Sequence, residues 1–253
     1  MKILAVLFLL ATTAFPEIVR ISPSNSSPIS QAMLRVKSGD TIMLADGKYR
    51  EDVILKSGVV LCSQNLFAAE IIGNGRDAVV KLNGGAKIIG LSICGGRNGV
   101  VTSNTGASIE NCYIHSNQGS GILAINRLPK IVNSIISNNL NAGIQGTAIG
   151  STEGEMSHLT IAENRRYGIE IDGDQDVILK DCLFYNNGHK AIKLTNQNLL
   201  VMKNLIIYPE QKEFINQDDF IGRPYFTGKH YFLKDNSIGK NKASDGKDIG
   251  FVK

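Results

Sequence analysis

From about residue 90 onward the chain alternates short apolar-x-apolar segments with polar turns, and the alternation is periodic. The last apolar residue before each turn is Ile93, Ile114, Ile136, Ile161, Phe184 and Ile207, giving spacings of 21, 22, 25, 23 and 23. The residue opening the next segment keeps step as Gly99, Gly121, Gly143, Gly168 and Ala191. A period of this size predicts a solenoid, whose units bury their apolar faces only against one another.

Aligned on these small residues, each unit divides into three strands. The first runs Gly99–Thr102, Gly121–Ala124, Gly143–Gly146, Gly168–Ile171 and Ala191–Leu194. The second ends at Ile88, Ile109, Ile131, Met156, Leu179 and Met202, and a single corner residue follows: Gly90, Asn111, Asn133, His158, Asp181 or Asn204. Those types tolerate positive φ best, so the corner is predicted to be left-handed. The third strand carries its first and last residues inward. After it, Asn117, Asn139, Asn164 and Asn187 fall in one column, which predicts a ladder of stacked amides.

The outward column of the third strand is Ser92, Tyr113, Ile135, Thr160, Leu183 and Ile206, too apolar for a solvated face. The last segment holds Phe214, Phe220, Tyr225, Phe226, Tyr231 and Phe232. It is expected to fold back over that column; a partner-binding patch is the alternative.

This pattern resembles the right-handed parallel β-helix of the pectate-lyase-like superfamily, over about Ser38 to Tyr208. Ser38–Tyr49 is similar to the family's opening coil. Ser27-Pro28 is expected to cap a short helix whose Ile29, Ala32, Met33 and Val36 plug the open end of the core. The fold class is therefore all-β, a single-stranded solenoid with a capping helix and an irregular C-terminal tail. Its expected segments are 1–14 (signal peptide), 15–37 (capping segment), 38–208 (β-helix) and 209–253 (tail).

Composition adds bounds. The 253 residues are 43% hydrophobic, with 26 Gly and no Trp, which suits a turn-rich β protein. The 27 cations against 23 anions give a net charge of +4, too small and too scattered to mark a nucleic-acid partner. Lys2, the apolar run Ile3–Leu10 and Thr12-Thr13-Ala14 have the order of a secretory signal, and no later run is long enough to span a bilayer. The expectation is a secreted or periplasmic protein.

Four cysteines (Cys62, Cys94, Cys112, Cys182) in an exported chain invite disulfides. Yet Cys112 and Cys182 share a coil position three coils apart, roughly 14 Å at ~4.8 Å per coil, beyond a disulfide's reach. Both stand where other coils have leucine, so they are expected to be buried thiols. No C-x-x-C or Cys/His cluster occurs, and His115 and His158 sit alone on separate turns, so metal ligation by these residues is not expected.

In enzymes that the pattern resembles, substrate lies along the outer face of the first strand. The matching column here is Lys81, Val101, Leu123, Gln145, Glu170 and Lys193. Stacking would bring Glu170 and Lys193 about 5 Å apart, as a structural ion pair or as part of a site. Arg165, Arg166 and Tyr167 enter the strand bearing Glu170, and His189 and Lys190 enter the next. Such a mixture suits uronic-acid polymers, whose carboxylates need cations while a base and an acid move protons. Tyr167–Asp172 is similar to the Tyr-Gly-Phe-Asp-Pro-His segment of alginate C5-epimerases, with Glu170 in place of Asp and Ile171-Asp172 in place of Pro-His. The resemblance matches Tyr167 and Glu170 to that segment's tyrosine and catalytic aspartate; with the surrounding cluster, the catalytic candidates are Tyr167, Glu170, Lys193 and His189, and the candidate substrate contacts are Arg165, Arg166, Gln145 and Lys190. Asp172, Asp174 and Asp176 are candidate Ca2+ ligands. The pectate-lyase and polygalacturonase motifs are absent, and the one extension near the groove, Thr147–Gly154, offers little beyond Glu153. Two readings therefore stand: a polysaccharide lyase or epimerase, and a non-catalytic β-helix that binds glycan or serves as a scaffold.

Overall fold

The computed structural model describes residues 15–103, 106–148, 154–173, 176–195, 200–214, 219–228 and 230–253. The proposed signal segment lies outside them. Among the described residues, the coils feed strands in turn into three parallel sheets of seven, nine and eight strands. The first sheet runs from Val53–Leu55 through Ala78–Leu82, Asn98–Ser103, Ile122–Asn126, Ile144–Ala148 and Tyr167–Gly173 to Lys190–Leu194. Its register places Lys81, Val101, Leu123, Gln145, Glu170 and Lys193 one above another, as the repeat predicts.

Successive coils are locked together at the entry to the first strand. A Cβ on Gly99, Gly121, Gly143 or Gly168 would come within 2.5–2.8 Å of the carbonyl oxygen of the small residue one coil on. The same Cβ would strike the asparagine column, where Nδ2 of Asn117, Asn139 and Asn164 donates to Oδ1 of the next Asn at 2.9, 2.9 and 3.0 Å. Glycine and the amide ladder are thus two halves of one packing device. Ala191 is permitted because its strand is the last of the sheet.

The second-to-third-strand corner is left-handed throughout, with φ between 46° and 72° at Gly90, Asn111, Asn133, His158, Asp181 and Asn204. The core is a stack of inward Ile, Leu, Val and Met, with Cys112 and Cys182 fully buried in it. Burial pushes both of these thiols up to about 12, and all four cysteines are free.

Both ends differ in detail from expectation. The helix Pro28–Arg35 buries Ile29, Ala32 and Met33 over the core, but the Ser27 hydroxyl does not cap it. The Glu51 carboxylate does, accepting from the backbone N–H of Ile29 and Ser30 at 2.9 Å each. A strand at Ile18–Ile21 also extends the second sheet by pairing with Thr41–Leu44.

The tail runs back along the third sheet. It buries Leu183, Ile206 and Ala162 beneath Leu233, Ala243 and Ile249, with Phe220, Phe226 and Tyr231 alongside. This accounts for the apolar outward column. The Asp181 carboxylate accepts from Ser244 N and Oγ at 2.8 and 2.6 Å. Phe251 N donates to Thr160 Oγ1, and Val252 N to Asn133 Oδ1. The tail also closes the last coil: Gln211 accepts from Ile192 N and donates to Ile192 O, replacing the next strand.

Candidate functional site

The first-sheet face is built from two columns set by the coil register. The outward column already described forms one. The other lies two residues before each entry glycine: Arg97, Gly119, Asn141, Arg166 and His189. It is continuous, because each backbone N–H donates to the carbonyl of the preceding member.

Side chains connect the columns in an unbroken run. Arg166 Nη1 donates to Asn141 Oδ1 at 3.3 Å, and Asn141 Nδ2 donates to Gln145 Oε1 at 3.0 Å. Ser120 Oγ donates to the same Gln145 oxygen at 2.9 Å. Gln145 Nε2 donates to Glu170 Oε2 at 3.4 Å, and Lys193 Nζ donates to Glu170 Oε1 at 2.7 Å. The hydrogen bond to Glu170 raises the Lys193 pKa, so this ammonium is held charged. The Glu170 side chain is only 14% exposed, which sets this pair apart from a freely solvated one.

Tyr167 is the centre of the cluster. Its ring lies 5.2 Å from the Arg166 guanidinium carbon and 4.8 Å from Lys193 Nζ, two cation–π contacts on one ring. The His189 ring stands perpendicular to it, with the two centroids 5.4 Å apart. Tyr167, Glu170, Lys193, His189, Arg166 and Gln145 are therefore brought together. Arg165 is exposed at the entry of the strand. Lys190 is turned to Glu213, 2.8 Å away, and holds that carboxyl down at about 2.

Asp172 is the penultimate residue of the strand, and its carboxylate accepts from Thr195 Oγ1. Asp176 follows two residues outside the described set, one of which is Asp174. The Thr147–Gly154 extension falls largely outside it as well.

Toward the N-terminus the face continues as a groove with an apolar floor of Val101 and Leu123, walled by Arg76, Lys81, Arg97 and Asn98. Lys81 pairs with Asp77 at 2.5 Å. The sequence reading placed the chemistry only in the C-terminal half of this face. The signal for the rest is the entry column itself: Arg97 and Asn141 occupy the repeat position of Arg166.

A model of the family described as the right handed beta helix region matches residues 77–219. An alginate lyase from Paenibacillus sp. has a similar structure, with a TM-score of 0.56 at 17% identity, covering 75% of this chain and 75% of that one. A pectate lyase aligns with 94% of this chain and 96% of its own, at a TM-score of 0.42 and 12% identity. At 17% identity the likeness to the alginate lyase is one of fold. No curated protein matches the chain. Among the described residues, no helix is long and apolar enough to cross a membrane.

Proposed function

Because the chain belongs to the right-handed beta helix family, we propose that its first-sheet face binds an acidic polysaccharide. The observation that carries this is the pair of parallel columns. A repeating row of cations and amides (Arg97, Asn141, Arg166, beside Lys81 and Lys193) suits a polymer that repeats carboxylates and hydroxyls. The apolar floor at Val101 and Leu123 suits the faces of sugar rings. Acidic glycans are met outside the cytoplasm, and the Lys2–Ala14 segment agrees with export.

Binding is favoured over chemistry by the state of Glu170. Here this carboxylate accepts from Lys193 and Gln145, an arrangement suited to orienting a bound sugar; to act as a general base it would have to release one of these donors. A second reading, a uronate lyase or C5-epimerase, draws on Tyr167 in contact with both Arg166 and Lys193, with the His189 ring perpendicular to it. There the cations would neutralise a uronate carboxylate and Tyr167 or His189 would move the proton. Ca2+ would be held by Asp172, Asp174 and Asp176, whose hard oxygens suit it. A non-catalytic scaffold is the remaining alternative.

Titration calorimetry with alginate, pectate and glycosaminoglycans tests the reading, with and without Ca2+. Absorbance of unsaturated uronates reports a lyase, and NMR of the recovered polymer reports an epimerase. Failure to bind any acidic polymer, at low salt and with Ca2+ present, would remove the proposal.

A further inference from the structure

Away from the first-sheet face, three outward side chains of the third sheet converge. Cys94 and His115 are rung neighbours in the parallel register; Glu70 lies one coil before Cys94 and one column aside, opposite Ser92. One ligand atom from each of the three lies within 4.8 Å of those of the others. Cys94 Sγ donates to Glu70 Oε1 at 3.6 Å, while Glu70 Oε2 is 3.5 Å from Lys48 Nζ. The imidazole is oriented on both sides, with Nδ1 3.0 Å from Ser116 Oγ and Nε2 3.1 Å from Ser92 Oγ. All three residues stand on strands, so coil stacking rather than loop conformation sets their positions.

We propose that Glu70, Cys94 and His115 form a binding site for Zn2+. Thiolate, imidazole and carboxylate are the ligand types this ion takes, and the sulfur disfavours Mg2+ and Ca2+. At Zn–S of about 2.3 Å and Zn–N or Zn–O of about 2.0–2.1 Å, tetrahedral ligand atoms lie roughly 3.3–3.6 Å apart. Cys94 and Glu70 already have that separation, and a rotation of the His115 ring closes the third edge. Binding breaks the Cys94 S–H bond and forms a sulfur–metal bond, with the proton released to solvent. Nε2 exchanges the Ser92 hydroxyl for the ion, and Ser116 retains Nδ1–H and fixes the tautomer. Three protein ligands leave a fourth position for water, and two of them, Glu70 and His115, also line the groove that Phe67 and His230 border.

The sequence concealed this site because its ligands are 24 and 21 residues apart. His115, expected alone on a turn, stands on the strand Tyr113–His115 beside Cys94.

Co2+ added to the full-length, reduced protein should give a sulfur-to-metal charge-transfer band, displaced by Zn2+ at stoichiometric amounts. Cys94→Ser should abolish the band, His115→Ala and Glu70→Gln should each weaken Zn2+ by at least about 10-fold, and Cys62→Ser should change nothing. Without any variant, Zn2+ should protect Cys94 but not Cys62 from alkylation, read by peptide mass mapping. No band with the wild-type protein, a band surviving Cys94→Ser, or equal alkylation of Cys94 with and without Zn2+ would each overturn the proposal.

Discussion

Gly143 lies beneath Gly168 so closely that a Cβ on Gly143 would come within 2.7 Å of the Gly168 carbonyl oxygen. Gly143 donates to Tyr167 O and accepts from Ile122 N, and Gly168 lies in a strand paired on both sides, so neither backbone can yield. Gly143→Ala should therefore lower stability by about 2–3 kcal/mol. Ala191→Gly, on the last strand of the sheet, should cost about 1 kcal/mol or less. Urea unfolding of the two variants checks the difference, and equal losses would contradict the packing argument.

The amide ladder makes a sharper demand. Asn139 Nδ2 donates to Asn164 Oδ1 and Ile114 O, and its Oδ1 accepts from Asn117. Asn139→Ala orphans buried groups at about 1–3 kcal/mol each. Asn139→Asp should be worse, because it sets a carboxylate against two carbonyl-type oxygens. Thermal melts should rank wild type above Asn139→Ala above Asn139→Asp.

Gln211 stands in for a missing strand at Ile192. Gln211→Leu should expose that edge while leaving the interior coils intact, and exposed edges recruit other chains. Sizing chromatography at increasing concentration should show self-association in the variant and not in the wild type.

The glycan reading predicts a face-specific charge effect. Arg97→Glu and Arg166→Glu should each weaken acidic polysaccharide about 10-fold or more, with a reduced salt dependence. Lys130→Glu, on the second sheet, should not. Calorimetry at two salt concentrations separates these outcomes.

Tyr231 ties the tail to the third sheet by donating to Glu163. Burial, then the Glu163 hydrogen bond and charge, raise its pKa above the usual tyrosine value. A raised pKa means the folded state holds the proton more tightly. The contribution is complete below about pH 10, the unfolded value, and declines as pH rises toward the folded one. Tail release followed by proteolysis should rise above that pH in the wild type, and Tyr231→Phe should be labile already at neutral pH.

The coil was legible because stacking imposes one residue type per position. The entry glycines, the Asn column and the left-handed corners all repeat, and the Glu170–Lys193 adjacency follows from them. The Glu51 cap was not legible: its partners lie 21 and 22 residues away in a helix outside the repeat. The strand at Ile18–Ile21 precedes the first complete coil, so no alignment reveals it. Arg97 shares the repeat position of Arg166 and is legible from the repeat, whereas the Glu70–Cys94–His115 grouping joins residues 24 and 21 apart and emerges only from the register of the third sheet.

The tail carries one last implication. Its anchors fall on corners and strands of particular coils, with Ser244 on Asp181, Phe251 on Thr160 and Val252 on Asn133. It therefore acts as a length gauge laid against the stack. Insertion or deletion of a whole repeat between Asn133 and Asp181 would keep every rung satisfied yet throw the gauge out of step. The same change before Asn111 would leave most of its marks aligned. Growth of this protein by duplication is accordingly open toward the N-terminal half and barred beneath the strap.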